Sequence, residues 1–418
     1  MCLRTILLGI STGWISLCGP VPARSADPAT TSTPWRDDGK NIDVTRKLNE
    51  AYLRMPFSRE FEGVLDDCPM QLEWSVGPNL PRAWKGGVAG FVGDELVLAG
   101  GLWMPGRLNS AYAYNVTTET FREIPPPPER PAYTQGACDG ESLYIVGGRA
   151  TGRRVFKLTR EGENGWTWQD LPQLPEAESG GRWVGTVGIV PGKWLFLVAG
   201  HPTGTPAEIR TIPALPDYAL RLDEPTAAWR RIAPYPGGPR AVLMSAVVRG
   251  MLYVFGGSYP EPTMRKIHLE LTGKAGFASG INAPFNGVPN YRDAYRYDPE
   301  HDRWTALRRT PFPVLAGDTI VLKDRYVLLM GSADVRSHRV GETQGSADPF
   351  WRGYGDRILC YDVEQDNYSH VGVMLYGVAT TEWVTDGERI WGFGGEPAHN
   401  FTSNTENVLQ IATIKWLP

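Results

Sequence analysis

Trp391-Gly-Phe-Gly-Gly-Glu-Pro-Ala-His399 carries the pattern from which the fold is read. A short apolar run stops at two glycines, and an acid, Glu396, follows at once. The first half of the pattern recurs upstream as Leu96-Val-Leu-Ala-Gly-Gly101, Leu143-Tyr-Ile-Val-Gly-Gly148 and Leu195-Phe-Leu-Val-Ala-Gly200. Leu252-Tyr-Val-Phe-Gly-Gly257 and Tyr326-Val-Leu-Leu-Met-Gly331 complete a set of six with Ile390-Trp-Gly-Phe-Gly-Gly395. Their spacing, 47 to 74 residues, suits one four-stranded sheet per copy with loops of unequal length.

Each copy is flanked in the same way. Upstream lies a run of small and β-branched residues, as in 86–92 or 245–248. Downstream comes a tyrosine or aliphatic residue and then an aromatic: Tyr114 and Phe121, Leu158 and Trp168, Leu222 and Trp229, Tyr297 and Trp304, Tyr361 and Tyr368. The glycines end a strand where a Cβ would crowd a neighbour or where the turn needs positive φ. The aromatics are sized to wedge between adjacent sheets. These are Kelch-type repeats, and six of them predict an all-β, six-bladed Kelch-type β-propeller over residues 71–418. The last copy, residues 377–414, supplies only three strands, whereas Leu72-Glu-Trp-Ser-Val76 reads as an outer strand that precedes any complete copy. The N-terminal strand is therefore expected to close the last blade; the alternative is that Lys415 and Trp416 do so.

Composition bounds the function. With 42% hydrophobic and 21% charged residues in 418, the chain can bury a large core, and its net charge of -4 gives no support to nucleic-acid binding or a basic membrane surface. Residues 1–25 read as a secretory signal: Arg4, an apolar stretch over 6–17, then Ala23-Arg-Ser25 as a small-x-small cleavage site. That stretch is too short to span a bilayer, so a periplasmic or secreted protein with no membrane span is expected. Residues 26–70 read as an N-terminal linker or extension, in which 44–62, with Leu48, Tyr52 and Leu53, suits one short helix. Beyond the signal, Cys68, Cys138 and Cys360 remain, too few for a disulfide framework, so packing is expected to hold the fold.

In a blade of alternating strands, the loop after the second strand and the loop leading into the next first strand emerge on one face, around the central channel. The residues after the second glycine are then Leu102, Arg149, His201, Ser258, Ser332 and Glu396; the lead-in loops add Arg82, Arg130, Arg182, Arg240, Asp318 and Tyr376. One acid among several arginines at a channel mouth points to a small anionic ligand and a working carboxylate. Glu396 is the candidate catalytic residue, because its column is otherwise neutral or basic. Arg240, Arg82, Arg130, Arg182, His201 and Tyr376 are candidate substrate contacts, against the plainer reading that such arginines brace nearby backbone. Two long inserts, 258–292 and 332–356, leave from the same face and offer Tyr259, Asn286, Asn290, Tyr291, Arg336, His338, Arg339, Trp351 and Arg352. No histidine pair has metal-ligand spacing, and no Cys-x-x-Cys, Walker loop or dinucleotide fingerprint occurs, so neither a metal nor a cofactor is expected.

Pro236-Gly-Gly-Pro-Arg240, the run to Gly257, Asp293-Ala-Tyr-Arg-Tyr-Asp-Pro-Glu-His-Asp-Arg-Trp304, Ala316-Gly317 and Leu375-Tyr-Gly-Val-Ala379 through Glu396 resemble the bacterial N-acetylneuraminate epimerases, the Kelch-propeller sialic acid mutarotases. The resemblance covers most of residues 72–414. Gly86-Gly-Val-Ala-Gly90 and Leu96-Val-Leu-Ala-Gly-Gly101 resemble blades that come late in that family, so the chain is similar to a circularly permuted member. Gly394 stands where the family leads one to expect Asn. The resemblance implies an isomerase acting on a small sugar acid, with Glu396 in the place of the family's proton-accepting glutamate. Anomer exchange in a 2-keto sugar acid needs a base for the anomeric hydroxyl and an acid for the ring oxygen, while arginine can grip the sugar's carboxylate in a bidentate pair. Two other readings stand beside it: a carbohydrate- or protein-binding propeller without catalysis, and a copper-radical sugar oxidase. The oxidase would need two histidines, two tyrosines and a cysteine to converge, and Cys360 and Tyr361, neighbours on a strand, point to opposite faces. Nothing in the sequence addresses the oligomeric state.

Overall fold

The computed structural model describes residues 67–103, 106–107, 109–148, 152–162, 165–175, 182–183, 185–202, 215–224, 226–238, 240–257, 292–311, 314–331, 356–375, 377–397 and 407–418. The signal segment, the helix expected over 44–62, Tyr376 and most of both long inserts lie outside the described residues.

Within them the chain forms six four-stranded antiparallel sheets, numbered here as blades. Blade 1 is Val88–Val92, Glu95–Ala99, Ala111–Asn115 and Thr120–Ile124. Blade 2 is Gln135–Cys138, Ser142–Val146, Val155–Glu161 and Gly165–Leu171. Blade 3 is Thr186–Val190, Trp194–Val198, Tyr218–Arg221 and Arg230–Arg231. Blade 4 is Met244–Val248, Met251–Phe255, Ala294–Asp298 and Arg303–Leu307. Blade 5 is Asp318–Leu322, Tyr326–Met330, Arg357–Asp362 and Asn367–Val373. Blade 6 takes Glu382–Thr385, Arg389–Phe393 and Leu409–Trp416 from the C-terminal end and its outer strand, Met70–Val76, from the N-terminal one.

The ring is closed as expected. Met70 pairs with Trp416 and Val76 with Gln410, so Lys415 and Trp416 belong to the third strand rather than replacing the fourth. The six first strands contact one another in sequence, and that of blade 6 returns to that of blade 1. This is a β-propeller.

What holds it is apolar packing in the seams. Each seam has its own buried cluster, from Val97, Ile145 and Phe156 between blades 1 and 2 to Leu98, Trp391 and Phe393 between blades 6 and 1. A side chain of that size contributes about 1.5–3 kcal/mol on full burial. The expected wedges also make a polar contact. Trp168, Trp229 and Trp304 donate their indole N–H to Pro125, Pro172 and Ala233 of the preceding blade at 2.7–2.9 Å, and the Tyr368 hydroxyl does the same to Arg308. Trp74 is the blade 6 wedge, meeting Trp383 edge-on at 5.9 Å, but its buried indole N–H finds no partner among the described residues.

The glycine pairs have a conformational signature that corrects one register. The first position has φ of 53–68° (Gly100, Gly147, Ala199, Gly256, Gly394) and the second 86–109° (Gly101, Gly148, Gly200, Gly257, Gly395). Gly331, at 70°, belongs to the first class, and the pairing of Asp318 with Met330 matches that of Val88 with Ala99. In the fifth copy the residue after the pair is therefore Ala333, not Ser332.

Candidate functional site

The first strands enclose a central cavity of about 490 Å³ to which all six blades contribute, within the ordinary range for small-ligand pockets. Inner strands expose unpaired backbone edges, and neighbouring blades cap them. The Thr319 hydroxyl donates to the Ser245 carbonyl, the Ser245 hydroxyl to Val187 at 3.2 Å, and the Cys138 thiol to Phe91 at 2.7 Å.

At the mouth, the residue two positions before the first strand is left-handed in each blade where it is described: Gly86, Tyr133, Val242, Ala316 and Thr380, with φ of 45–57°. Backbone bonds link several of them into a collar: Gly86 N–H to Thr380 at 3.1 Å, Thr380 N–H to Ala316 at 2.7 Å, and Ala316 N–H to Val242 at 2.9 Å. Left-handed backbone is costly for branched residues such as Val242 and Thr380, about 1–3 kcal/mol each. The collar is thus a built feature that fixes the rim of the cavity.

Glu396 sits on this rim. It opens a two-residue ladder, pairing with Ala379 while Pro397 pairs with Val378. Its carboxylate crosses the seam into the neighbouring blades. Oε1 lies 2.5 Å from Lys85 Nζ of the blade 1 lead-in and accepts from the Tyr133 hydroxyl of the blade 2 lead-in at 3.1 Å. Glu396 is 5% exposed and Lys85 2%, so this is a buried ion pair with a phenol on it. Tyr133 lines the cavity and packs over Gly86, where a Cβ would lie 3.1 Å from its ring. Gly86 therefore meets two demands, positive φ and room for Tyr133 to reach Glu396.

Lys85 was absent from the sequence candidates, although a signal existed. Three positions before each first strand the chain reads Lys85, Ala132, Trp183, Ala241, Leu315 and Ala379. One charged residue stands in an otherwise apolar column, as one acid stands in the column of Glu396. The two exceptions pair with each other.

The expected arginine cluster is not assembled among the described side chains. Arg240, expected to grip a ligand, is 2% exposed and serves blade 4: Nη2 meets Asp293 at 2.5 Å, Nη1 donates to Gly256 at 2.9 Å and Nε to Gly237 at 3.0 Å. That geometry is a structural clamp, the plainer of its two sequence readings. Arg82 and Arg130 are exposed and do not line the cavity. Arg182 and His201 are brought onto one short ladder, Arg182 opposite Pro202 and Trp183 opposite His201.

Two carboxyls do line the cavity, on the adjacent first strands of blades 5 and 6. Asp318 opens its strand rather than lying in a loop, accepting from the Thr319 N–H at 2.7 Å and the Trp383 N–H at 2.8 Å. Burial pushes its pKa up to about 6 despite those bonds. Glu382, beside Trp383, is raised well above the usual carboxylate range by burial and then by the Asp318 charge. Glu382 opens its strand as Asp318 does, and it was missed because the blade 6 lead-in was placed at Tyr376, six residues earlier.

Among the described residues the oxidase constellation is not met. Tyr361 lies in the seam between blades 4 and 5 with its hydroxyl on Asp366 at 2.6 Å, away from the cavity. Among the described residues no three His, Cys, Asp or Glu side chains gather as metal ligands, and no helix is long and apolar enough to cross a membrane.

Six blades, paired glycines and interblade aromatics around a lined channel make the chain a Kelch-repeat β-propeller, and a Kelch motif is matched over residues 83–128. Within that class it is related to proteins named N-acetylneuraminate epimerase. The one from Haemophilus influenzae (strain 86-028NP) is 28% identical over 202 residues, covering 46% of this chain and 46% of that protein. The one from Yersinia pestis (strain Pestoides F) is 25% identical over 223 residues, covering 48% and 52%. The chain thus spans about half the length of the curated relatives it matches.

Proposed function

We propose that the protein is an exported mutarotase that interconverts the anomers of a sialic-acid-like 2-keto sugar acid. The observation that carries this reading is the Lys85–Glu396–Tyr133 group, made from two exceptions to the repeat at the rim of a sugar-sized cavity. The names of the relatives supply the substrate class.

In this reading the sugar enters the cavity with its anomeric hydroxyl beside Tyr133. Glu396 is the base: the anomeric proton reaches its carboxylate, directly or through the Tyr133 hydroxyl already bonded to it. As the anomeric oxygen becomes a carbonyl, the bond from the ring oxygen to the anomeric carbon breaks and the ring oxygen takes up the proton that Glu396 returns, directly or through water. Rotation of the open-chain keto acid presents the other carbonyl face, and the reverse steps close the ring as the other anomer. No electrons leave the substrate, so the cycle balances without a cofactor. Lys85 holds the carboxylate in place and offsets its charge in a buried setting, where an unpaired carboxylate would be costly. Of the arginines expected from the sequence, Arg182, in the lead-in of blade 3, is left to meet the sugar's carboxylate.

The test follows the anomeric NMR signals of freshly dissolved N-acetylneuraminate with and without protein. Acceleration by the wild type, lost in Glu396→Gln to the buffer rate, is the expected result. Saturable binding with no acceleration would replace this reading with that of a carbohydrate-binding propeller.

A further inference from the structure

Cys68 stands two residues ahead of Met70–Val76, the strand that closes the ring. That strand is zipped to Leu409–Trp416, and the Leu417 N–H donates to the Pro69 carbonyl at 2.8 Å. The chain just before it turns onto the neighbouring blade. There the Cys68 side chain packs against the cluster that holds Cys360, which is paired with Ser369 across two strands of blade 5. Cys360 is 1% exposed, Cys68 is half-buried, and both pack in the same apolar cluster with Met70, Val371 and Trp416. Two thiols 292 residues apart in sequence therefore meet across the seam between blades 5 and 6. A cavity of about 140 Å³, lined by Asp67, Pro69, Cys360 and Ser369, lies beside the contact.

We propose that Cys68 and Cys360 form a disulfide that latches the ring-closing strand to blade 5. Their environments divide the chemistry. The thiol of Cys68 is pulled down to about 7, first by its bond to Cys360 and further by Met70 and Ser369, so it supplies a thiolate near neutral pH. Cys360 is pushed up by the same contact and by burial, and keeps its proton. The oxidant is a disulfide, either of a protein dithiol–disulfide oxidase or of oxidised glutathione. Cys68 thiolate attacks one of its sulfurs, forming a mixed disulfide and releasing the first thiolate. Cys360 then passes its proton to that thiolate and attacks Cys68 Sγ, which breaks the mixed disulfide and releases the second sulfur as a thiolate. Two protein thiols are oxidised and one disulfide is reduced. Cys138 takes no part: it lies on the channel wall with its thiol on Phe91, and burial pushes it up to about 12.

This departs from the expectation that packing alone holds the fold. A propeller without a covalent seam opens where its ends meet, and a cross-link closing so long a loop restricts the unfolded chain strongly. The location matters as much as the bond. The latched strand belongs to blade 6, whose rim carries Glu396.

The experiment uses the full chain equilibrated with oxidised or reduced glutathione and digested without reduction. A peptide joining Cys68 to Cys360 is expected in the oxidised sample, together with a melting temperature several degrees above that of the reduced one. Cys68→Ser should abolish that redox-dependent shift, and Cys138→Ser should retain it. Cys360 is deeply buried, so its substitution is not needed. The wild-type peptide map decides by itself: free Cys68 and Cys360 after oxidation, or a link through Cys138, overturns the proposal.

Discussion

The channel carboxyls make a quantitative prediction about stability against pH. Below about pH 3 Asp318 is protonated in both folded and unfolded chains and contributes nothing to the difference. As pH rises past the ordinary value of 3.8 the unfolded chain ionises it first, while the folded protein keeps the proton until about 6. Each pH unit in that window costs the folded state about 1.4 kcal/mol, so about 3 kcal/mol is lost by pH 7. Glu382 acts in the same direction. Asp318→Asn cannot ionise and escapes this loss. It also replaces two carboxylate oxygens with one amide oxygen, so the Thr319 or the Trp383 N–H gives up a charged acceptor, an offset of about 1.5–3 kcal/mol. That offset applies once the wild-type carboxylate is ionised, so the absolute stability of the variant is not the diagnostic. The slope is. Urea unfolding followed by tryptophan fluorescence, between about pH 4 and pH 7, should show less loss of stability with rising pH in the variant, by about 2–3 kcal/mol, because the folded value already includes the two N–H bonds. Pairing with Glu382→Gln should steepen the contrast, because Glu382, itself raised by burial, then no longer adds its own loss with rising pH. A variant that loses stability with pH faster than the wild type would refute the assignment of Asp318 as a carboxyl disfavoured when charged.

Three further outcomes are expected. Lys85→Met leaves the Glu396 carboxylate buried without its cation and should cost about 3–5 kcal/mol in equilibrium unfolding, whereas Lys85→Met with Glu396→Leu should recover most of it; a single variant as stable as the wild type would argue against a buried pair. Gly86→Ala forces a side chain into φ of +57° against the Tyr133 ring and should lower stability by about 1–2 kcal/mol. Trp168→Phe should lose about 1 kcal/mol more than Trp74→Phe, since only Trp168 has a carbonyl partner to give up.

Much of the architecture was legible because it depends on local chemistry repeated six times. Paired glycines mark positive φ, which few other residues tolerate, and the outer aromatics mark the seams, so copy number and even the unpaired Trp74 strand followed from the chain alone. The fifth copy shows where that signal weakens. Met330-Gly331-Ser332 offers one glycine for two positions, and only φ tells which it fills. Arg240 was ambiguous for a different reason. Its partner Asp293 lies beyond a long insert, so no spacing links them, and an arginine after Pro-Gly-Gly-Pro looks the same whether it grips a ligand or a carboxylate of its own blade.

Lys85 shows what a closer reading of the repeat would have gained. In a repeat protein a column's shared residue reports what every blade needs, and a departure reports what one blade does. Glu396 alone was ambiguous, because a single acid in a loop column costs little if it is solvated. An acid and a base that each break their own column, are both buried, and meet across a seam are a different matter. Burying such a pair is rarely the most stable use of the space, so its presence at the cavity rim argues for a chemical role more strongly than either residue does alone. The same seam logic ties that site to the closure of the ring. Glu396 follows Arg389–Phe393, which pairs with Leu409–Trp416, which in turn pairs with Met70–Val76. Two pairings thus join the strand that leads to Glu396 to the N-terminal strand, so whatever secures that strand also supports the blade on whose rim Glu396 meets Lys85.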